Sequence, residues 1–220
     1  MITLSKRLTA IYKMVPAGVA ADIGADHGKL MIALFEGGVI SHGYAVENKK
    51  GPYNRLVKAL KEKSLENDIV PLFSDGITDL PEIVHTVIIA GMGGNNIINI
   101  LKAHPEKTKQ INTLIIDAHT CIPLVRKEIC NMGFVIADEK MVHEDNIFYE
   151  IIKFIRADIA FYGDKDIEFG PILRQEKSST FKEKYETRII EIDNLLKNKN
   201  LPKGRITELS KEKERIQNIL

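Results

Sequence analysis

The chain has 220 residues, is 44% hydrophobic and 28% charged, and carries a formal net charge of +1. These totals fit a soluble globular protein with a real core and exclude an overtly basic nucleic-acid binder; the length allows one full domain plus an extension. Two cysteines without CxxC spacing (Cys121 and Cys130), no long apolar N-terminal region and no run long enough to span a bilayer lead us to expect a reduced, cytoplasmic protein with no metal and no membrane anchor.

Residues 1–14 put Leu4, Leu8, Ile11 and Tyr12 on one face of an amphipathic helix, with Lys6 and Arg7 between them, and Pro16-Ala17-Gly18 stops it. Residues 19–24 are small and apolar, as in a buried strand. They turn on Gly24 into a helix over 27–36, which Gly37-Gly38 ends. A second strand, 43–47, closes on Glu47. The next helix opens at Gly51-Pro52 and carries Leu56, Leu60 and Leu65. Strand 69–73 contains Pro71, which favours a sheet edge, and is followed by the turn Ser74-Asp75-Gly76. Residues 86–90 and 113–117 are continuous apolar runs of the kind buried on both faces of a parallel sheet. The first leads into Gly91-Met92-Gly93-Gly94-Asn95-Asn96 and a helix. The second leads into Ala118-His119-Thr120 and a helix over 122–132. Segments 134–138 and 148–155 have no helix between them and predict an antiparallel pair at one edge.

Seven strands, five alternating with helices and then a hairpin, predict an α/β fold with a mostly parallel sheet and helices on both faces. By analogy of fold, this is the layout of a class I, Rossmann-like methyltransferase. Residues 156–174 read as a connector. From 175 to 220 the chain has eleven Lys/Arg against eight Asp/Glu. Apolar residues there recur at Tyr185, Ile189, Ile192 and Leu196, and again at Ile206, Leu209, Ile216 and Leu220. Two helices folded back as a coiled-coil hairpin fit this pattern; so does an amphipathic cap on the sheet. The expected division is a methyltransferase-like domain over 1–158, a connector over 159–174 and a hairpin over 175–220.

In an open parallel sheet the ligand lies beyond the carboxyl ends of the strands. Five such ends carry suggestive groups: Asp22, Gly24 and Asp26; Glu47; Asp75; the turn after Ala90; and Asp117. The first turn, Gly24-Ala25-Asp26-His27-Gly28, lacks the second glycine that lets a backbone approach a pyrophosphate. A carboxylate at that position repels a diphosphate and tolerates a cation. S-adenosyl-L-methionine, with its sulfonium, ammonium, ribose and adenine, fits. Glu47 is expected to take the ribose hydroxyls, Asp75 the adenine amine with Gly76 leaving room, and the backbone near Gly24 and Ala90 the methionine part. His27, His119 and His143 have no metal-binding spacing.

A wider resemblance rests on Asp22-Ile23-Gly24-Ala25-Asp26-His27, Ser74-Asp75-Gly76, Ala90-Gly91-Met92-Gly93-Gly94, Leu4-Ser5-Lys6-Arg7-Leu8 and the pair Tyr149-Glu150. Together they resemble the bacterial tRNA (adenine-22-N1)-methyltransferase family, the TrmK type, along the whole chain. The resemblance implies an S-adenosyl-L-methionine-dependent enzyme that methylates N1 of a D-arm adenine in tRNA. It implies a cofactor site at Asp22, Gly24, Asp26, His27, Glu47, Asp75, Gly76, Ala90, Gly91 and Met92. Two places depart from the family pattern. Lys29-Leu30-Met31 stands where a tyrosine and Leu-Pro are usual, and Asp117-Ala118-His119 replaces Gln-Pro-Asn near the entrance for the base.

N1 of adenine attacks without deprotonation, so alignment is the main task of such an enzyme. The base becomes cationic, and Asp26 is the expected stabilising carboxylate, with a helix-capping role as the other reading. Lys6, Arg7, Lys182, Lys184 and Arg188 are the expected RNA contacts. The alternatives are a class I methyltransferase for another substrate and a non-catalytic tRNA-binding module on this fold. No protein partner is evident from the sequence.

Overall fold

The computed structural model describes residues 2–157 and 161–220. The strands are β1 (Gly18–Ile23), β2 (Ile40–Glu47), β3 (Ile69–Phe73), β4 (Thr86–Met92), β5 (Thr113–Ala118), β6 (Phe134–Glu144) and β7 (Ile147–Arg156). They form one sheet in the order β3-β2-β1-β4-β5-β7-β6. β3, β2, β1, β4 and β5 pair in parallel, and β7 pairs antiparallel with both β5 and β6. The winding reverses between β1 and β4, which opens a crevice at the carboxyl ends of those two strands.

The helices before β6 are α1 (Lys6–Met14), α2 (Lys29–Glu36), α3 (Lys50–Glu62), α4 (Gly94–Ala103), α5 (Pro105–Gln110) and α6 (Ile122–Asn131). Ser5 caps α1, its Oγ accepting the Leu8 N–H at 3.2 Å. Successive strand residues feed opposite cores. Ala21, Val87, Ile89, Leu114 and Ile116 pack with α4 and α6 residues, while Ala20, Ile88 and Ile115 pack with residues of α1, α2 and α3. With both faces covered, nearly every position of β4 and β5 is apolar, which is why these strands read as continuous runs.

β3 holds the edge that Pro71 favours, and β6–β7 form the expected antiparallel pair at the other. Among the parallel strands, the alternation of strand and helix breaks once, between β3 and β4. Residues 74–85 cross from β3 to β4 in turns, with Ile77, Leu80 and Val84 buried and Ser74 Oγ donating to Asp79 Oδ2 at 2.6 Å. Asp75, Gly76, Asp79 and Pro81 in so short a stretch favour turns over helix.

The stretch read as a connector carries two short helices, α7 (Asp164–Phe169) and α8 (Pro171–Glu176). The expected domain boundary at 158/159 lies outside the described residues. α9 (Ser179–Leu196) and α10 (Lys203–Gln217) follow. Ile192, Leu209 and Ile216 of this helix pair share a third core with Phe169, Leu173 and Met141 of β6. The last two helices are therefore packed onto the sheet's edge hairpin as well as onto each other.

A buried charge network fastens that junction. Arg126 of α6 is 0% exposed; its Nε donates to Glu139 Oε1 at 2.8 Å and its Nη2 to Glu150 Oε2 at 2.5 Å. Glu150 Oε1 also accepts from Lys184 of α9. Glu139 Oε2 accepts the Ile172 N–H at 3.0 Å. Arg126 Nη1 also donates to the Ile167 carbonyl of α7 at 3.3 Å, so α6, β6, β7, α7, α8 and α9 all meet on one guanidinium and two carboxylates.

Candidate active site

β1 ends on Asp22-Ile23 and breaks at Gly24, whose φ of +79° favours glycine. The turn is pinned to β2 from both sides. The Gly24 N–H donates to Val46 O at 2.9 Å, and the Asp26 N–H donates to Glu47 Oε1 at 2.6 Å. A Cβ on Gly24 would lie 2.6 Å from Met92 Cε, so the turns after β1 and β4 are in contact.

Two cavities meet at this turn. The smaller, about 210 Å³, lies between Arg7, Asp22, Ala25, His27, Leu30 and Ala90. The larger, about 390 Å³, runs over Glu47, Asn48, Asp75, Gly76, Met92 and Ile100. Gly24 and Asp26 line both. A Cβ on Gly76 would lie 2.8 Å from Ile100, so the wall is closed there.

The electrostatics differ between the two. Asp22 is 6% exposed, and its pKa is pushed up to about 7, by burial first and by the charge of Glu47 second, with Arg7 opposing. A buried carboxylate in this position costs stability unless a positive group joins it. Beyond Asp22, on β5, Asp117 is fully buried and takes the Arg7 Nε donor on Oδ2. Burial pushes its carboxyl up and Arg7 draws it back. In the larger cavity Asn48 Nδ2 donates to Asp75 Oδ1 at 2.9 Å, which fixes that carboxylate.

Of the residues expected at a cofactor site, Asp22, Gly24, Asp26, His27, Glu47, Asp75, Gly76, Ala90 and Met92 line one cavity or both. Gly91 lines neither; a Cβ there would sit 2.9 Å from Arg7 Nη2, so its bareness clears space for Arg7. Asp26 is the outlier in character. Its side chain is 57% exposed and takes Arg55 Nη2 on Oδ1 at 3.0 Å, with His27 Nε2 3.6 Å from Oδ2. It sits on a rim already neutralised by Arg55.

The residues expected at an RNA surface divide. Lys6 and Lys182 are exposed. Arg7 instead points inward to Asp117, and its guanidinium carbon lies 5.0 Å from the Tyr149 ring centroid. Lys184 is tied to Glu150. Arg188 is forked onto Glu212, with Nε 2.7 Å from Oε1, and also donates to Glu191. Asn48, Ile100 and Arg7 were missed as cavity residues. Asn48 directly follows Glu47 and was within reach of the strand-end argument; Arg7 lies 110 residues from Asp117 and carries no local signal.

Among the described residues no group of three or more His, Cys, Asp or Glu side chains is arranged to hold a metal ion, and no helix is long and apolar enough to cross a membrane.

The profile of the methyltransferase-domain family matches residues 4–152. The chain is 28% identical over 197 residues to the tRNA (adenine(22)-N(1))-methyltransferase of Bacillus subtilis strain 168, covering 84% of this chain and 80% of that one. It superposes on Sp1610 of Streptococcus pneumoniae, a candidate tRNA (m1A22) methyltransferase, with a TM-score of 0.93 and 30% identity over 99% of this chain and 100% of the other. The same Streptococcus protein solved with S-adenosyl-L-methionine matches with a TM-score of 0.91 and 29% identity, over 99% and 100% of the two chains. The fold, the strand-end cavities and these likenesses agree: the chain belongs to the methyltransferase-domain family, and within it to the TrmK-type tRNA (adenine-22-N1)-methyltransferases.

Proposed function

We propose that the protein transfers a methyl group from S-adenosyl-L-methionine to N1 of adenine 22 in the D-arm of tRNA. The observation that carries the reading is the buried acid Asp22 on the wall of the smaller cavity, two residues before the Gly24 turn that this cavity shares with the larger one, on a chain similar throughout to proteins named for this activity. The residues suit the donor. Asp22 offers a negative charge where the ligand is cationic, and the larger cavity offers acids and amides over an apolar wall of Val46, Met92 and Ile100. When bound, the donor supplies a methyl group on a sulfonium, which departs as a neutral thioether.

In this reading Asp22 faces the positive end of the ligand. Glu47 takes the ribose hydroxyls, Asp75 with Asn48 holds the adenine edge, and Gly76 lets the ring lie against Ile100. The Gly24 turn and Ala90 hold the amino-acid part. Asp26, paired with Arg55, keeps the turn shaped between the two cavities. The target ring nitrogen attacks with its own lone pair, so no general base is required. What the enzyme supplies is approach and orientation, from which several kcal/mol are available. In folded tRNA the D-arm adenine is stacked, so it must leave the stack to reach the crevice.

Gly24→Ala tests the turn. The backbone there is left-handed and a methyl group meets Met92, so donor affinity by calorimetry should fall about tenfold while the fold survives, a cost of about 1–2 kcal/mol.

We further propose that residues 175–220 hold the tRNA through their solvent-facing lysines. Lys182 is exposed, while Lys184 and Arg188 are committed to internal ion pairs. Lys182→Glu should weaken tRNA binding at every sequence and lower the slope of log affinity against log salt by about 1. Filter binding across a KCl series reads it. Removing the hairpin is a poorer test, because it strips the cover from Phe169, Leu173 and Met141.

The function itself is tested by incubating the full chain with methyl-labelled donor and unmodified tRNA. Label in tRNA supports it. Label only in small metabolites favours a methyltransferase for another substrate, and no label favours a binding module.

A further inference from the structure

β4 and β5 lie side by side, with Ala90 in register with Asp117. Ala90 lines the smaller cavity, so Asp117 stands one strand beyond it, on the side away from Glu47 and Asp75. Arg7 lines that cavity too, and donates Nε to Asp117 Oδ2. The guanidinium is itself held over Tyr149, whose ring centroid lies 6.1 Å from that of His119. Asp117 Oδ1 has no such partner. Among the described residues it is a buried side-chain polar atom left without a hydrogen bond. Buried acceptors are nearly always satisfied, so one left unmet one strand from the cavity, with its sister oxygen held by Arg7, needs an explanation, and a donor brought by the substrate supplies one. Burial favours the protonated carboxyl, and the adjacent guanidinium favours the ionised one.

We propose that Asp117 is a catalytic residue that reads the target base: its Oδ1 accepts a hydrogen bond from the exocyclic amine of the adenine, while Arg7, a positioning residue, holds the carboxylate by Oδ2. The inference rests on the methyl transfer to adenine N1 proposed above. The amine is attached to the carbon next to N1, so an acceptor that fixes the amine also fixes the nucleophile. As the N1 lone pair forms the new N–C bond, the C–S bonding pair passes to sulfur. The base gains one positive charge, and no proton leaves. That charge is shared with the exocyclic nitrogen, so the hydrogen bond to Oδ1 is stronger in the transition state than before it. A 6-oxo purine offers an acceptor at the same place and is repelled. The same carboxylate thus contributes both rate and base selectivity.

The test compares wild type and Asp117→Asn on two tRNAs, one with adenine 22 and one with purine riboside at 22, which lacks the amine. Single-turnover rates and donor affinity are both measured. Asp117→Asn should slow transfer to adenine about 10- to 100-fold, and its penalty on the purine substrate should largely vanish, because the two changes remove one interaction. The lower nucleophilicity of purine is common to both enzymes and cancels. Donor affinity should stay within about twofold. Equal penalties on the two tRNAs would overturn the proposal. So would a tenfold loss of donor affinity, which would assign the oxygen to the donor instead. Should Asp117→Asn fold poorly, Asp117→Ser serves in the same comparison. If wild type fails to methylate adenine 22, the underlying reading falls and this one with it. If wild type methylates it but shows no coupling, only the role of Asp117 falls.

Discussion

Asp22→Asn should weaken S-adenosyl-L-methionine binding by about 30-fold or more, because removing one member of a buried charge pair costs about 2–5 kcal/mol. The carboxylate is 6% exposed, lines the smaller cavity just before the Gly24 turn, and its partner in our account is the ligand's positive charge. The pH dependence follows from the same site. In the free protein the Asp22 pKa stands at about 7, against an ordinary value of 3.8. Between those two values the folded chain keeps a proton that the unfolded chain has lost. The contribution of Asp22 to stability is therefore full at low pH and declines as pH rises to about 7. Ligand binding runs the other way. A cation prefers the ionised carboxylate, so affinity should climb as pH rises toward 7 and flatten above it. Glu47 and Arg7 act on the same group and shape the curve's position. In Asp22→Asn both slopes should disappear, and the free variant should be more stable than wild type at pH 8. Calorimetric titrations and thermal melts from pH 5.5 to 8.5 read both.

Arg126→Met should destabilise the fold by about 3–5 kcal/mol, lowering the melting temperature by about 10 °C. Methionine follows the path of the arginine stem but lacks the guanidinium, and leaves Glu139 and Glu150 buried without their shared cation. Burial pushes the Glu139 carboxyl up even beside Arg126, whereas Glu150, also desolvated, is held below its usual range by Arg126 and Lys184; without Arg126 both shift toward the protonated form. The deficit should therefore shrink as the solution is acidified. Arg126→Met combined with Glu139→Gln and Glu150→Gln should recover much of the loss, since the cost lies in the stranded charges. Urea unfolding of the single and triple variants separates the two cases. Because Lys184 and Ile172 join the same network, tRNA binding in the single variant should fall with the orientation of α8 and α9.

The parts of the fold legible in the sequence were those set by local pattern. The runs 86–90 and 113–117 announced central strands because both sheet faces are covered there. Pro71 announced an edge because it has no N–H to give a neighbour. Strand ends bearing Asp22, Glu47, Asp75 and Ala90 announced a shared crevice because chain order alone brings parallel strand ends together. What stayed hidden depends on distant partners. Lys184 and Arg188 read as a basic face, yet the carboxylates that neutralise them sit on β7 and α10. Arg7 read as an outward cation, yet Gly91 clears a space for it and Asp117 holds it inside. The altered segment Asp117-Ala118-His119 stood out as a departure. Only the fold shows that one oxygen of Asp117 is held by Arg7 while the other is buried without a hydrogen-bond partner.

The measurement that bears most directly on the account is the position of the transferred methyl group. Unmodified tRNA carrying adenine at position 22 is incubated with the full chain and S-adenosyl-L-methionine, digested, and mapped by mass spectrometry alongside a tRNA with guanine at 22. The account predicts one methyl group per tRNA, on N1 of adenine 22, and none on the guanine variant. A methyl group on any other nucleotide, or equal labelling of the two tRNAs, would contradict it.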